Sequence, residues 1–297
     1  MNYYNEIKNK LIDNKVYKKV KDYSKNRNDL STYYEVGKLL IKAQGGEERA
    51  KYGDNLIKEY SERLFNDTGR KYDITALKRI RQFYLVVEKG VPLAHQLTWS
   101  HYCELLPLKD INEINYYVKT TIEQCLSKRQ LRERIKNKEY QRLDDKTKLK
   151  LINKEEIDIK DNIKNPIIIK NKLDIDKETV SEKILQRLIL EDIPSFLEEL
   201  GTGYSFIKNE YKIKLGERYN YIDLLLFNIE LVVELKVTEL KKEHIGQIQI
   251  YMNYINNSLR KITQDKTIGL IICKKDNKYV IEYSSDKRIL SREYELI

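Results

Sequence analysis

The sequence predicts an α+β protein in which a mostly helical amino-terminal domain precedes a domain with the element order αβββαβ. Three observations support this fold class. Apolar residues recur at helical spacing through the first half, as in LSTYYEVGKLLIKA. Strand-like runs begin only after about residue 204, and one amphipathic helical segment interrupts them. We predict domain boundaries at 1–143 and 178–297, with 144–177 as a linker.

The first helical segments lie in residues 1–45 and 54–65. Each has an apolar stripe at helical spacing, and each is followed by glycine, at Gly45-Gly46 and within the cluster Asn66 to Gly69. Glycine at these positions is typical of helix ends. We expect the segment within residues 1–45 to be structural.

A third helix is predicted to start from a cap at Asp73 and to place Leu77, Ile80, Tyr84 and Val87 inward. Polar and basic side chains then form its exposed face: Thr75, Lys78, Arg79, Arg81 and Gln82. Such a face could enter a major groove, as in a helix-turn-helix. The connection of about seven residues is longer than that of a tight helix-turn-helix, so groove recognition stays a hypothesis.

A second basic helix opens with a capping box formed by Ser127 and Gln130. In the segment SKRQLRERIKNK, the side chains of Lys128, Arg129 and Arg132 are predicted to contact phosphate. The alternative is a basic helix that is only solvated.

The net charge of +10 is confined to the amino-terminal part. Residues 1–143 contain 29 Lys and Arg against 19 Asp and Glu, whereas residues 144–297 contain 27 of each kind. This division is typical of a nucleic-acid-binding module joined to a neutral catalytic domain. A solvated basic surface remains the alternative.

Composition excludes several other classes of protein. No apolar run approaches the roughly 18 residues of a membrane helix, and MNYYNEIKNK lacks a signal-peptide core, so we expect a cytoplasmic protein without a membrane partner. The three cysteines are odd in number and widely spaced, which fits neither a disulfide framework nor a zinc site.

The elements of the second domain follow in order. Residues 144–177 alternate Lys, Asp, Asn and Ile without clear periodicity, which indicates the linker. After it, helices are predicted at Glu178–Leu200 and Glu243–Leu259, and strands at Tyr204–Lys214, Tyr219–Phe227, Leu231–Val237, Thr267–Lys275 and Tyr279–Tyr283.

The segment YNYIDLLLFNIELVVELK is an apolar hairpin that carries charged residues. A two-residue turn at Asn228-Ile229 would place Asp223 directly opposite Glu234. Because Ile resists positive φ, a three-residue loop is an alternative, and it would make the carboxylates diagonal neighbours. Side chains alternate along a strand, so Glu234 and Lys236 share a face, with the Leu235 carbonyl between them.

Two facing carboxylates on an apolar hairpin repel each other and are costly to bury. A divalent cation would compensate, because Mg²⁺ takes oxygen ligands and commonly uses one or two carboxylates. The alternative is an edge hairpin whose charged side chains merely reach solvent.

At these residues the sequence resembles the YhcG-type family of the PD-(D/E)XK nuclease superfamily. The surrounding segments strengthen the resemblance, with FLEELGTGYSFI before the hairpin and GQIQIY and TIGLIICK after it. The resemblance implies a restriction-endonuclease-like nuclease domain at 178–297 and the family's helical domain at 1–143.

The resemblance also implies a function. It points to a Mg²⁺-dependent endonuclease, with Mn²⁺ as an alternative ion, that cleaves DNA phosphodiester bonds to leave 5′-phosphate ends in restriction, repair, recombination or mobile-element defence. Asp223, Glu234 and the Leu235 carbonyl would hold the metal, and Lys236 would orient and help deprotonate water. Family positions add three further active-site residues: Glu199, Gln247 and Tyr251.

Other interpretations stay open from the sequence alone. The chain could be an idle nucleic-acid-binding protein or a scaffold that retains the nuclease fold. The intact Asp, Glu and Lys set argues against this, because a retired site has no reason to tolerate the burial cost. RNA is not excluded as substrate, and a homodimer or higher homo-oligomer is compatible with the sequence.

Overall fold

A computed structural model describes residues 3–20, 25–46, 54–69, 72–201, 203–227, 231–261 and 263–297. The chain divides into two compact units, Met1–Tyr140 and Gln141–Ile297. None of the helices in these ranges is both long and apolar enough to cross a membrane.

Among its described residues, the regular secondary structure of the first unit is all helical. Its helices are α1 Tyr3–Val20, α2 Lys25–Ala43, α3 Asp54–Thr68, α4 Ile74–Glu88, α5 Trp99–Leu105, α6 Ile111–Glu123 and α7 Lys128–Lys136. Asp73 caps α4, and Ser127 with Gln130 forms the capping box of α7, both as predicted.

Helix α4 lies at the centre of this unit. It buries Leu77 and Ile80 as predicted, but then Phe83 and Val86 instead of Tyr84 and Val87. Phe83 packs edge-on against the rings of Trp99 and Tyr102 on α5, and these contacts explain why Phe83 rather than Tyr84 is buried. Helix α2 approaches α4 closely, because a Cβ on Gly37 would lie 2.5 Å from the Ile80 carbonyl oxygen.

The second unit contains helices and a mixed sheet. Its helices are α8 Asp145–Asn153, α9 Glu182–Glu191, α10 Ile193–Leu200, α11 Lys242–Ser258 and α12 Lys278–Glu282, and its strands are β1 Ile167–Ile169, β2 Ser205–Leu215, β3 Arg218–Phe227, β4 Leu231–Glu239, β5 Ile268–Lys275 and β6 Ile289–Leu296. Among the described residues these six strands form one sheet in the order β1-β6-β5-β4-β3-β2. The pairs β2–β3 and β3–β4 are antiparallel, and the other neighbours are parallel.

Helices cover both faces of the sheet. On one face, α9 and α10 pack Leu188 and Phe196 against a cluster that includes Leu224 and Leu235. On the other face, α11 packs Ile248 and Met252 against β5. The strands are therefore buried on both faces near the middle of the sheet, which explains their continuous apolar runs.

Three expected elements differ from the observed ones. The segment 144–177, expected as a linker, contains α8 and the short strand β1, which pairs with β6. The expected helix Glu178–Leu200 is two helices, separated at Asp192, whose side chain caps the second. The expected strand Tyr279–Tyr283 is helix α12, and the last strand is β6, where buried and part-exposed side chains are mixed.

Candidate active site

The strands β3 and β4 separate where the charged residues begin. Their pairing runs from Leu226 opposite Leu231 to Leu224 opposite Val233, which is the predicted register. The turn residues 228–230 lie outside the described residues, so the expectation of an Asn228-Ile229 turn is not addressed. Asp223 and Glu234 are the next positions on their strands and stand at the fork.

Asp223 is held at the fork by the backbone of the neighbouring strand. The Leu235 amide donates a hydrogen bond of 2.7 Å to Asp223 Oδ2, and the Gln186 side chain of α9 donates to the Asp223 carbonyl oxygen at 3.2 Å. In a strand, the N–H and C=O groups of one residue point to the same side. The Leu235 carbonyl is therefore directed toward the fork as well.

Glu234 is a buried carboxylate with only one of its oxygens bonded. Its Oε1 accepts a hydrogen bond of 2.9 Å from Lys236 Nζ, whereas its buried Oε2 has no hydrogen-bond partner among the described residues. Burial and then repulsion by Asp223 raise the pKa of Glu234 to about 7. Burial likewise raises the pKa of Asp223, although the Leu235 amide and Lys236 oppose the shift.

Lys236 connects the fork to α9. Its ammonium lies 2.9 Å from Glu234 Oε1 and 3.5 Å from Glu182 Oε1. Burial alone lowers the pKa of Lys236, but the attraction of Glu234, followed by that of Glu182 and Asp223, raises it above its usual value overall. Without a cation at the fork, Lys236 is therefore a protonated donor.

Family comparisons identify the two parts of the chain. The YhcG PDDEXK nuclease domain matches residues 160–297, and the DUF1016 N-terminal domain matches residues 7–142. The chain belongs to the YhcG-type nuclease family. The predicted family and its restriction-endonuclease-like fold are thereby confirmed.

Two individual proteins are similar to this chain over part or most of its length. YhcG of Escherichia coli (strain K12) is 26% identical over 310 residues, which cover 90% of this chain and 83% of that protein. A crystal structure of a repair endonuclease from Pyrococcus abyssi is 15% identical, covers 40% of this chain and 47% of that chain, and gives a TM-score of 0.28. This chain thus spans about half the length of that structure.

Glu182 is an acidic residue of this YhcG-type site that the sequence interpretation missed. It lies in the first turn of α9, directly after the cap Ser181, and its charge acts on Asp223, Glu234 and Lys236. Gln186 follows four residues later on the same helical face. In the sequence, Glu182 and Gln186 are four residues apart directly after the cap Ser181, and this spacing could have indicated that both side chains lie on one face of α9.

Two further predicted residues lie on α11. Gln247 Nε2 donates a hydrogen bond of 3.0 Å to the Tyr251 hydroxyl, and Tyr251 is buried. Burial raises the pKa of Tyr251, and the charges of Glu234 and Asp223 add to that effect. The structure therefore brings Gln247 and Tyr251 to the same electrostatic environment as the fork.

Glu199 makes its contacts elsewhere. Its carboxylate forms a two-point ion pair with Arg142, including Nη2 to Oε1 at 3.0 Å, and accepts a hydrogen bond from the Ile168 amide. The reason is the break at Asp192, because α9 packs on β4 in the interior of the sheet, whereas α10 packs on β1 at an edge of it. The expected role of Glu199 at the metal stays a prediction, whereas Glu182 is the acidic helix residue whose charge acts on the fork.

A substitution separates a structural Glu199 from a catalytic one. We expect Glu199→Gln to lower the free energy of unfolding by about 3 kcal/mol, because it removes the carboxylate charge that pairs with the buried Arg142. Nucleolytic activity per folded molecule should stay at the wild-type level. Urea unfolding and a cleavage assay on the folded fraction measure the two effects, and a hundred-fold or larger loss of activity in the folded protein would restore Glu199 to the site.

The predicted nucleic-acid-binding residues of the first unit differ in availability. Arg132 forms a two-point ion pair with Glu104 at 2.9 and 2.8 Å, and Lys128 lies 3.4 Å from the same carboxylate. On α4, Arg81 binds Gln44 and Gln82 donates to the Leu106 carbonyl oxygen. Lys78 is part-buried, whereas Arg79 and Arg129 are exposed.

PDDEXK nucleases generally use divalent metal ions, and the oxygen atoms at the fork suit one. Among the described residues no group of three or more His, Cys, Asp or Glu is placed to hold a metal. A hard cation needs fewer protein ligands than that, because it completes its shell with water and substrate phosphate. Asp223, the Leu235 carbonyl and the unbonded Glu234 Oε2 supply such a set.

The raised pKa of Glu234 gives a stability prediction for the metal-free protein. A carboxyl whose pKa is higher in the folded state than in the unfolded state contributes stability that is lost as pH rises from about 4.5 through about 7. Glu234→Gln removes this titration. In EDTA we therefore expect the free energy of unfolding of Glu234→Gln, relative to that of the wild type, to rise by on the order of 1–3 kcal/mol between pH 5 and pH 8.

Urea unfolding at both pH values measures this difference. Glu178→Gln is the matched control, because the Glu178 side chain is largely exposed. If the stability difference between wild type and Glu234→Gln is the same at both pH values, the carboxyl is not held in the environment described here.

Proposed function

We propose that this chain is a metal-dependent endonuclease that hydrolyses phosphodiester bonds in DNA and leaves 5′-phosphate ends, acting in restriction, repair, recombination or mobile-element defence. The observation that carries the proposal is the buried, unbonded Oε2 of Glu234 beside Asp223 and Lys236. An unpaired buried carboxylate oxygen is costly unless something binds it. Membership of a PDDEXK nuclease family supports the same chemistry.

Asp223, Glu234 and the Leu235 carbonyl would hold the divalent ion, Mg²⁺ or Mn²⁺. When bound, such an ion acidifies water and neutralises charge on the phosphoryl oxygens. Lys236 Nζ would donate a hydrogen bond that orients the attacking water, and its positive charge would favour loss of that water's proton to solvent. The water oxygen bonds to phosphorus while the bond to the 3′ oxygen breaks and that oxygen takes a proton from solvent, so the phosphate stays on the 5′ end.

Three side chains position this machinery. Glu182 holds the Lys236 ammonium from α9, 3.5 Å away. Gln247 and Tyr251 present an amide and a hydroxyl from α11, which can bind a non-bridging phosphate oxygen or the water. In this proposal Glu182 occupies the acidic helix position that the sequence interpretation gave to Glu199.

We propose that the first unit binds DNA and that the second unit cleaves it. The net charge of +10 is carried by residues 1–143, and Arg79 and Arg129 are exposed side chains of that part that could contact phosphate. Sequence-independent phosphate binding of this kind supplies most non-specific affinity and depends strongly on salt.

Incubation with labelled duplex, single-stranded, branched and RNA substrates in Mg²⁺, Mn²⁺ or EDTA tests the proposal. We expect cleavage of DNA in either metal and none in EDTA, with products that a ligase can rejoin because they carry 5′-phosphates. Binding without cleavage in any metal would identify an idle nucleic-acid-binding protein instead.

A further inference from the structure

Strands β2 and β3 continue past the fork as a two-stranded arm. Within it Lys212 pairs with Tyr221, Lys214 with Tyr219, and Leu215 with Arg218. The connecting turn begins at Gly216, whose φ of +63° is readily adopted only by glycine. The arm therefore extends the sheet at its edge, beside the candidate active site.

The two faces of the arm have opposite character. Ile213 and Ile222 are buried and pack into the cluster beneath α11. The opposite face carries Lys212, Lys214, Tyr219 and Tyr221, and we call these four residues the arm face. Tyr219 and Tyr221 are 54% and 52% exposed, which is unusual for large aromatic side chains on a regular hairpin.

The charge of the arm face is not neutralised by carboxylates. Lys212 Nζ lies 3.7 Å from the centroid of the Tyr219 ring, and Lys214 Nζ lies 6.0 Å from it. Among the described residues, neither lysine forms an ion pair within 4 Å. A cation held over an aromatic ring keeps its charge and loses conformational freedom, so it is preorganised for an anion.

The arm face lies along β3 next to the catalytic carboxylates. Tyr219 and Tyr221 precede Asp223 on the same strand by four and two residues, and the exposure of these three residues falls in that order toward the fork. Residues two positions apart on a strand are about 6.6–7 Å apart. A ligand bound on the arm face therefore lies close to Asp223.

We propose that the arm face binds a single-stranded stretch of nucleic acid next to the scissile phosphate, so that the preferred substrate carries an unpaired tail or branch. The proposal rests on the proposed function. Lys212 and Lys214 contact phosphates, while Tyr219 and Tyr221 stack on bases. Only unpaired bases expose a free ring face to a tyrosine, because the bases of a duplex already stack on each other.

Binding of tailed and blunt duplexes by the full chain in EDTA tests the arm face without cleavage. The probe is a DNA duplex whose single-stranded tail contains a fluorescent base analogue that is quenched on stacking. Tyr219→Ala with Tyr221→Ala should weaken binding of the tailed duplex about ten-fold or more and abolish the quenching, but leave the blunt duplex unaffected. Phenylalanine at both positions should restore both signals.

The lysines are tested by salt dependence. Lys212→Ala with Lys214→Ala should reduce the slope of log K against log salt for the tailed duplex by about 1.4, since each single-strand phosphate contact contributes about 0.7. Matched controls come from exposed residues of the same unit, Tyr279→Ala with Tyr283→Ala and Lys278→Ala with Lys287→Ala. Both should match the wild type.

The outcomes separate this inference from the nuclease proposal. Folded alanine variants that bind and quench the tail as the wild type does would overturn the role of the arm face, whether or not the protein cleaves DNA. If binding of the tail depends on the arm face but the protein does not cleave DNA in the presence of metal, the inference is upheld and the proposed function is contradicted.

Discussion

Asp223→Asn is expected to reduce metal-dependent cleavage by at least about 10²–10³-fold while DNA affinity stays within a few-fold of the wild type. Asparagine can still accept the hydrogen bond of the Leu235 amide, so the fork should keep its shape. What is lost is the negative charge that a cation needs. Single-turnover cleavage in Mg²⁺ and DNA binding in EDTA measure the two effects separately.

Glu178→Gln serves as the control for Asp223→Asn, because it removes one acidic charge from the same unit at an exposed position. It should cleave at the wild-type rate. Cleavage by Asp223→Asn at that rate would show that hydrolysis takes place elsewhere in the chain or comes from a contaminant.

Lys236→Met is expected to reduce cleavage by a factor comparable to that of Asp223→Asn, but to retain metal binding. Methionine replaces the stem of the lysine without its ammonium, so the water is no longer oriented, whereas the oxygen ligands remain. Glu234→Gln should lose both cleavage and metal binding. The contrast between these two variants assigns chemistry to the lysine and metal binding to the carboxylate.

Lys274→Met is the matched control for Lys236→Met, since Lys274 lies on the neighbouring strand β5 and its ion pair is with the exposed Glu178. It should leave cleavage unchanged. If Lys236→Met cleaves as fast as Lys274→Met, Lys236 only balances the charge of its neighbours and another group orients the water.

The hairpin that carries the site was predictable because strand pairing follows simple arithmetic. Apolar runs of similar length on either side of Asn228-Ile229 leave few registers that bury both, and the observed one places Asp223 and Glu234 at adjacent positions of the fork. The caps of α4 and α7 were predictable for a similar reason, since each depends only on residues three positions apart.

The positions of Glu182 and Glu199 relative to the fork depend on packing between distant segments. Whether Glu182 or Glu199 reaches the fork is decided by the break at Asp192, which sends α9 to β4 and α10 to β1. Strand β1 has only three residues and exists because β6 offers it a parallel edge. Neither fact is encoded in local periodicity.

The basic residues of the first unit show the same limit. Charge alone gave Arg129 and Arg132 equal weight as phosphate contacts. The fold brings Glu104 of α5 beside Arg132 of α7, so part of the positive charge is neutralised within the unit. A charge count predicts the sign of the surface, whereas the tertiary structure decides which side chains present it.

Binding of Mn²⁺, measured by electron paramagnetic resonance in the absence of DNA, tests the central claim most directly. That claim is that Asp223 and Glu234 form a site for a divalent cation at the β3–β4 fork. The wild type, Lys236→Met and Glu199→Gln should bind the ion, and Asp223→Asn and Glu234→Gln should not. Equal Mn²⁺ binding by all five folded proteins would contradict the site.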